Sequence, residues 1–289
     1  MAEVDDADEG GQNGLDSLYP EDLPKAASLA DLPRQERNEI VLALLAQKRF
    51  DFLDFGTHKG GGLRIGNSLG GQAGLGVELD DAKVVALFRR GAFAYSGNVL
   101  ELPQGLKARF AVCSHVLEHL PSRYEVGTII NQLQRSCSDY IFITQPSFDV
   151  DSALFERGLR MAHSPMKNHD CRLTTRELVD ICWDLGLERF VVGGAKPISD
   201  TSHSWIHSTQ GRKNVWKWKP GDAPKPDVRF GRPLHRDIVA VIGLKPGLDL
   251  AGIATAGGMK TLYLESRRME FCTEIPWPSD AVAKLRPDS

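Results

Sequence analysis

The stretch that most constrains the fold of this 289-residue chain runs from Phe50 to Asp80. It begins with the bulky apolar run FDFLDF, which is typical of a buried strand, and the run ends at Gly56 in a glycine-rich turn, GTHKGGG. Glycine permits positive φ angles and the close approach of a ligand to the backbone. A glycine turn that opens a helix also directs free N–H groups and the positive end of the helix dipole at an anion. The stretch therefore predicts a strand, a ligand-binding turn and a helix.

A second predicted strand, AGLGVELD, places Glu78 22 residues after Gly56. At that distance from a glycine turn, a carboxylate can accept hydrogen bonds from the two hydroxyls of a ribose. The two features together predict a site for a nucleoside-containing cofactor at the first strand.

Predicted strands and helices continue to alternate beyond Asp80, with apolar strands at 93–96, 110–114 and 140–144 and helices at 81–90 and 124–136. Such alternation implies a parallel, doubly wound sheet, whose ligands bind outside the carboxyl ends of the strands. Polar or glycine residues occupy all of those ends, which are Gly56, Glu78, Asn98, Ser114 and Gln145.

We expect three regions along the chain. Residues 1–30 form an acidic, disordered segment, because residues 1–24 carry eight acids and no Lys or Arg. Residues 31–245 form the main domain, and 246–289 form a C-terminal extension. Within the main domain, 151–170 and 196–236 lack a clear period and are expected to be lid or substrate-binding insertions. The second insertion is basic, with nine Lys or Arg against three Asp.

Composition points to a cytoplasmic protein. No apolar run approaches the roughly 18–20 residues of a membrane span, and the acidic amino terminus has no signal-peptide core. The five cysteines are scattered and odd in number, which favours reduced thiols over disulfides or zinc. Nothing in the sequence specifies an oligomeric state.

From Phe50 to Leu244, the motifs resemble class I S-adenosylmethionine-dependent methyltransferases, in particular the small-molecule group. LDFGTHKGG is similar to the family's glycine turn, with Asp54, Gly56 and Gly60 matching and His58 in place of the middle glycine. GVELD, GNVLELP, FAVCSHVLEHLP, YIFITQPS and DIVAVIGL follow in the family's order. The resemblance implies a Rossmann-like, mostly parallel seven-stranded sheet with an antiparallel last strand and helices on both faces.

The resemblance further implies S-adenosylmethionine as cofactor, S-adenosylhomocysteine as product, and methyl transfer to an oxygen or nitrogen of a small molecule, with O-methylation preferred. Glu78 would bind the ribose, and Asn98 and Val99 would face the adenine. The full set of implied cofactor-binding residues is Asp54, Gly56, Thr57, His58, Gly60, Glu78, Leu79, Asn98, Val99, Ser114 and His115. The His58 side chain either narrows the approach to the cofactor's methionine end or turns outward.

Three histidines are candidates for a general base, because an imidazole titrates near neutral pH. His169 is the first candidate and His119 the second, and His163 lies in the same irregular segment as His169 and could act in the same way. The alternative is that these histidines are exposed or pack structurally. Some quinone O-methyltransferases that resemble HVLEHLP bind a divalent ion there with acids and a histidine; only Glu118 and His119 match, so we predict no metal.

The stretch RKNVWKWKP at 212–220 combines basic residues with tryptophans. It is compatible with a lid that packs on the core, with a surface for an anionic small substrate, or with nucleic-acid binding. The net charge of −3 and the absence of an NPPY-like run disfavour nucleic acid. We expect a small polar acceptor, anionic or glycan-like. The alternative function is a non-catalytic scaffold whose turn is obstructed by His58.

Overall fold

The computed structural model describes residues 15–266. Its strands are β1 Phe52–Phe55, β2 Gly74–Glu78, β3 Ala94–Ser96, β4 Ala108–Ser114, β5 Cys137–Pro146, β6 Leu159–Met161, β7 Phe190–Asp200, β8 Ile206–Ser208, β9 Arg229–Gly243 and β10 Met259–Ser266. Its α-helices are α1 Arg34–Ala46, α2 Gly61–Ser68, α3 Asp81–Arg89, α4 Arg123–Ser136, α5 Asp151–Phe155, α6 Thr175–Asp184 and α7 Leu250–Ala256.

Eight of the strands form one sheet, in the order β10-β7-β9-β5-β4-β1-β2-β3. Five consecutive strands of this sheet, β3, β2, β1, β4 and β5, are parallel to one another. The next strand, β9, is antiparallel to both β5 and β7. Every residue of β1 and β2 is buried. Since successive side chains on a strand point to opposite faces, both faces of the sheet are covered there. The predicted Rossmann-like, doubly wound fold is confirmed.

The sheet has one strand more than the seven predicted. DIVAVIGL supplies the buried half of β9, which is antiparallel as expected but lies between β5 and β7. The eighth strand, β10, follows α7 and pairs antiparallel with β7 at the sheet edge. Residues 246–266 therefore belong to the main domain rather than to a separate extension, and 267–289 lie outside the described residues.

The N-terminal segment differs from the prediction of disorder over residues 15–30. Leu15 is fully buried, and its side chain lies against Gly60 in the glycine turn. The Tyr19 hydroxyl donates to the Gly74 carbonyl (2.8 Å) and accepts from the Phe93 N–H (3.2 Å). The contacts of Leu15 and Tyr19 thus hold this otherwise acidic segment against the main domain. Residues 1–14 lie outside the described residues.

The two predicted insertions pack against each other. β6 from the first pairs antiparallel with β8 from the second. The far ends of β7 and β9 extend into this region, where Ile198 lies opposite Leu234. A separate apolar core fills it, made of Leu154, Leu159, Met161, Ala162, Ile198, Trp205 and Ile206. The insertions therefore form one small subdomain beside the carboxyl edge of the sheet.

Within residues 15–266, we find no helix of the length and apolarity that crossing a membrane requires. The four cysteines in this range are buried free thiols, as expected, and Cys272 lies outside it.

Candidate functional site

The glycine turn connects β1 to α2 at the carboxyl edge of the sheet. Gly56 has a φ of 71°, and Gly60, the N-cap of α2, has a φ of 87°. Both values favour glycine. A Cβ atom at Gly56 would lie 2.5 Å from Cγ2 of Val116, so the turn also packs against the segment that follows β4. The first turn of a helix has N–H groups without helical partners, so this geometry suits an anionic or polar ligand.

Asp54 lies beneath the turn rather than on its surface. Its side chain is 1% exposed, and a Cβ atom at Gly62 would come within 1.9 Å of Oδ1. Burial raises the pKa of Asp54 to about 7, against the opposing effects of the Thr57 side chain and the Leu63 N–H. Asp54 therefore supports the turn and the start of α2 from below.

Glu78, at the end of β2, is attached to the same turn. Its Oε2 accepts a hydrogen bond from the His58 N–H (3.0 Å), and its Oε1 accepts one from the Asp80 N–H (3.1 Å). The residue is only 8% exposed. Each carboxylate oxygen has a second lone pair, so Glu78 can hold the turn and still accept hydrogen bonds from a ligand.

Thr57 and His58, two neighbouring residues of the turn, point to different environments. Thr57 is buried, and a Cβ atom at Gly76 would lie 2.7 Å from its Cγ2. His58 is exposed and has a φ of 44°, which is uncommon for a residue with a side chain. Of the two predicted ligand residues, His58 alone presents its side chain to the surface.

The end of β3 lies beside the end of β2, because the Gly97 N–H donates to the Glu78 carbonyl (2.9 Å). Asn98 follows, is exposed, and caps a short 3-10 helix: its Oδ1 accepts from the Leu100 N–H (3.0 Å). This bond fixes the amide oxygen of the predicted adenine-binding residue.

Apolar side chains flank this edge. Leu79 is 70% exposed and Leu100 is 45% exposed, while Val99 between the strand ends is partly buried. They offer an apolar surface next to the Glu78 carboxylate, which suits a ligand with a flat apolar part and a hydroxylated part.

Ser114 and His115 mark the end of β4, one strand from the glycine turn. The His115 N–H donates to the Thr144 carbonyl (2.8 Å), and its φ is 54°. Its side chain is 43% exposed, with Nδ1 3.4 Å from Oε1 of Glu118. The structure therefore brings these two predicted residues to the same edge as Gly56 and Glu78.

Buried charges surround His115. Glu118 and Asp237 are each 2% exposed, and Nζ of Lys196 lies 2.9 Å from Oδ2 of Asp237. Burial lowers the pKa of His115, but the hydrogen bond with Glu118 and the charge of Asp237 outweigh it, so the pKa is raised. Burial by itself would raise the pKa of Asp237, but the nearby cations His115, Lys196 and Arg236 have the larger effect, so the pKa of Asp237 is lowered.

The two predicted catalytic histidines lie together. The rings of His119 and His169 have centroids 5.2 Å apart, and Glu118 lies beside them. His169 is 4% exposed, and burial is the main cause of its lowered pKa, so its imidazole is neutral at neutral pH. Nδ1 of His119 lies 2.7 Å from the Asn168 carbonyl oxygen.

Aromatic rings enclose this cluster on the side of the small subdomain. Phe148 lies 6.2 Å from His169, and Trp216 lies 6.0 Å from it, between ring centroids. His163, the third candidate, is fully buried, with Nε2 2.8 Å from the Ser147 carbonyl oxygen. Burial lowers the pKa of His163 to about 4. This histidine is packed rather than exposed, and we assign it no part in proton transfer.

Three polar residues of the site were not predicted as site residues. Gln145, at the carboxyl end of β5, is 1% exposed, and neither of its amide atoms has a hydrogen-bond partner among the described residues. Lys196 and Asp237 belong to β7 and β9. The available signal was that DIVAVIGL was predicted to run antiparallel, which places its first residue, Asp237, opposite the carboxyl end of β5.

The basic stretch 212–220 is partly neutralised within the chain. Arg212 pairs with Asp222 (2.8 Å), and the Trp218 Nε1–H donates to the Ala223 carbonyl (3.1 Å). Trp216 faces the histidine cluster while remaining 48% exposed. These contacts favour the interpretation of the stretch as a lid.

No family model and no curated protein matches this chain. Among solved structures, it is similar to magnesium protoporphyrin IX methyltransferase from Synechocystis PCC 6803 with bound S-adenosylhomocysteine, at 12% identity and a TM-score of 0.40, over 78% of this chain and 90% of that one. It is also similar to a putative methyltransferase from Bacillus halodurans C-125, at 14% identity and a TM-score of 0.46, over 70% and 98% of the two chains.

A third similar structure is Haemonchus contortus phosphoethanolamine N-methyltransferase 2 in complex with S-adenosylmethionine, at 12% identity and a TM-score of 0.39, over 61% of this chain and 47% of that one. All three are described as methyltransferases. Similarities this distant concern the fold, and the function must be argued from the residues of the site.

Proposed function

We propose that this chain is a class I S-adenosylmethionine-dependent methyltransferase that methylates an oxygen, or a nitrogen, of a small molecule. The observation that supports this proposal most strongly is the hydrogen bond between the glycine turn and the Glu78 carboxylate. The His58 N–H donates a hydrogen bond to the carboxylate, and α2 begins three residues beyond, after its N-cap Gly60. A carboxylate fixed beside a helix N-terminus suits a ligand with ribose hydroxyls and a charged end.

The remaining cofactor-binding residues extend from this point in both directions. Glu78 binds the ribose hydroxyls, while Leu79, Asn98 and Val99 line the adenine end. On the other side, the main chain of Gly56, Thr57, His58 and Gly60 surrounds the methionine end, together with Ser114 and His115. Asp54 positions the turn from below.

The chemistry requires little of the protein beyond alignment, because the sulfonium already carries an activated methyl group. The acceptor must approach the methyl in line with the bond that breaks, and water must be kept out. The small subdomain formed by the two insertions lies against the histidine cluster and supplies Trp216, while Phe148, just after β5, provides a second aromatic ring beside His169. We assign it the role of a lid.

Oxygen is the favoured acceptor atom. A hydroxyl oxygen is a weak nucleophile until a base removes its proton, whereas a neutral amine nitrogen can attack the methyl group directly. The neutral, buried His169 provides a proton acceptor, with His119 beside it. The aromatic rings favour a ring-bearing acceptor, and the cations Lys196 and Arg236, which flank Asp237, support a polar acceptor with an anionic group.

The test is methyl transfer from isotopically labelled S-adenosylmethionine into pools of hydroxyl-bearing and amine-bearing polar metabolites, with mass spectrometry of the products. We expect label in a hydroxyl-bearing compound. His169→Gln should lower kcat by about 10²- to 10⁴-fold if the imidazole is the base. His207→Gln, a buried histidine in β8 outside the cluster, is the matched control and should keep the parent rate. Label only in amines would contradict the assignment of oxygen.

A further inference from the structure

Three potential metal ligands converge beside the end of β4. Glu118 and His119 come from the 3-10 turn Leu117–His119, and His169 comes from the insertion about fifty residues later. Each offers one ligand atom, and these atoms all lie within 4.8 Å of one another. Among residues 15–266, no other group of three or more His, Cys, Asp or Glu side chains is close enough together to hold a metal ion.

The two imidazoles are held in a form that suits coordination. Nδ1 of His119 lies 2.7 Å from the Asn168 carbonyl oxygen. Because a carbonyl only accepts, Nδ1 carries the hydrogen and the lone pair resides on Nε2, which lies 4.0 Å from Oε1 of Glu118. A ligating histidine commonly donates its other N–H to a carbonyl in this way.

His169 shows a similar arrangement. Its Nδ1 is buried and has no hydrogen-bond partner among the described residues, while its ring is in hydrogen-bonding contact with the His163 backbone. The lone pair on Nδ1 is therefore uncommitted. A buried polar atom without a partner is costly, and a bound ion would satisfy it.

Glu118, like His169, has a buried polar atom without a hydrogen-bond partner among the described residues. The residue is 2% exposed, and its Oε2 has no hydrogen-bond partner among the described residues. Its Oε1 lies 3.4 Å from Nδ1 of His115 and 4.0 Å from Nε2 of His119. A buried carboxylate requires compensating charge, and a divalent cation would supply it.

The sequence predicted no metal because only Glu118 and His119 matched a metal-binding pattern; the fold adds His169 to them. We propose that Glu118, His119 and His169 bind one divalent transition-metal ion, for which Zn²⁺ is the probe. Two imidazoles with one carboxylate favour Zn²⁺ or Fe²⁺, whereas Mg²⁺ and Ca²⁺ prefer oxygen ligands. Bonds of about 2.0–2.1 Å place tetrahedral ligand atoms about 3.4 Å apart, so the side chains close inward on binding. The His119 side chain is 40% exposed and can move to do so.

Three protein ligands leave at least one coordination position for a water or substrate oxygen. If the chain is a methyltransferase as proposed above, that position serves the acceptor hydroxyl, and the bound ion, by lowering the pKa of this hydroxyl, takes over the role that the His169 imidazole has in the metal-free protein. Binding of the metal itself does not depend on the methyltransferase assignment.

The experiment uses the full chain without a polyhistidine tag, freed of metal by chelation. Zn²⁺ is titrated by calorimetry and Co²⁺ by visible absorption, with S-adenosylhomocysteine binding measured on the same samples. We expect one equivalent of metal per chain and a Co²⁺ spectrum of low coordination number. His169→Gln and His119→Gln should each weaken Zn²⁺ at least tenfold. His163→Gln, the neighbouring buried histidine outside the group, should retain it.

Absence of one-equivalent binding in the parent would overturn the metal site, as would binding that neither His119→Gln nor His169→Gln weakens. Either result with intact S-adenosylhomocysteine binding would leave the methyltransferase proposal standing. One-equivalent metal binding without S-adenosylhomocysteine binding would support the metal site and contradict the proposed function.

Discussion

The His58 main-chain N–H and the Glu78 carboxylate are joined by a hydrogen bond of 3.0 Å. This bond ties the turn after β1 to the end of β2 across twenty residues of sequence. The same carboxylate also accepts from the Asp80 N–H at the start of α3. Glu78 therefore fixes the shape of the site while contributing the acceptor oxygens that we assign to the ribose.

Glu78→Gln tests this double role. The amide NH₂ replaces one carboxylate oxygen and cannot accept from either an N–H or a ribose hydroxyl. Hydrogen bonds to a charged group contribute about 1.5–3 kcal/mol, so the Kd for S-adenosylhomocysteine should rise about 10- to 150-fold in calorimetry. Asp80→Asn removes a nearby charge but keeps the cap on α3, and its Kd should stay at the parent value. Equal Kd values for both variants would contradict the role of Glu78.

His58→Gly tests whether the histidine obstructs the turn. Its φ of 44° is strained for histidine by about 1–2 kcal/mol, and glycine removes that strain at an entropic cost of about 0.4–1 kcal/mol. Chemical denaturation should therefore show a free energy of unfolding within about 1 kcal/mol of the parent. Cofactor affinity should be unchanged or tighter, since the glycine turn would be restored. A marked loss of affinity would mean that the His58 side chain contacts the cofactor.

Asp54→Asn should change how stability depends on pH. The folded-state pKa of Asp54 is about 7, above its unfolded value of roughly 3.9, so between these values the folded chain retains a proton that the unfolded chain has lost. The free energy of unfolding of the parent therefore carries a contribution that is lost as pH rises from about 4 to about 7. The variant lacks this contribution. We therefore expect the free energy of unfolding of Asp54→Asn, minus that of the parent, to rise by roughly 4 kcal/mol between about pH 4 and about pH 7 and to stay constant above that. Urea unfolding at several pH values measures this difference. A pH-independent difference would contradict the burial of this carboxyl.

Gly61 and Gly62 offer a matched pair at the start of α2. A Cβ atom at Gly62 would lie 1.9 Å from Oδ1 of Asp54, whereas one at Gly61 meets nothing within 4 Å. Gly62→Ala should therefore lower the free energy of unfolding by about 1–3 kcal/mol or more. Gly61→Ala should leave it unchanged or raise it by up to about 1 kcal/mol. Thermal unfolding of both proteins measures the contrast, and similar shifts in the two would refute the packing of Asp54 under the helix.

Local patterns were enough to predict which residues gather around the glycine turn, in the half of the candidate site that we assign to the cofactor. Strands are predicted by the short apolar runs around Phe52 and Leu75, and the end of the first strand is predicted by Gly56. Parallel strands then place their carboxyl ends at one edge of the sheet. Glu78, Asn98 and Ser114 accordingly lie at that edge. The prediction missed that the carboxyl of Asp54 lies beneath the turn, because burial depends on the packing of α2 against it.

The acceptor half depends on long-range packing and could be predicted only in part. His169 reaches His119 through an insertion without periodicity, so sequence alone did not show that they share a cluster with Glu118. Asp237 was not predicted because it lies within an antiparallel strand, opposite the end of β5, whereas site residues were expected where parallel strands end. Leu15 and β10 were missed since a single buried leucine and an edge strand leave weak local signals.

The glycine turn and Glu78 together form the S-adenosylmethionine site that we propose. Calorimetric titration of S-adenosylhomocysteine into the full chain, freed of bound ligand, tests it most directly. We predict saturable one-to-one binding, accompanied by about 2.7 kcal/mol of added stability when the ligand is at 100 times its Kd. The absence of both binding heat and thermal stabilisation at saturating ligand in the parent protein would contradict the account.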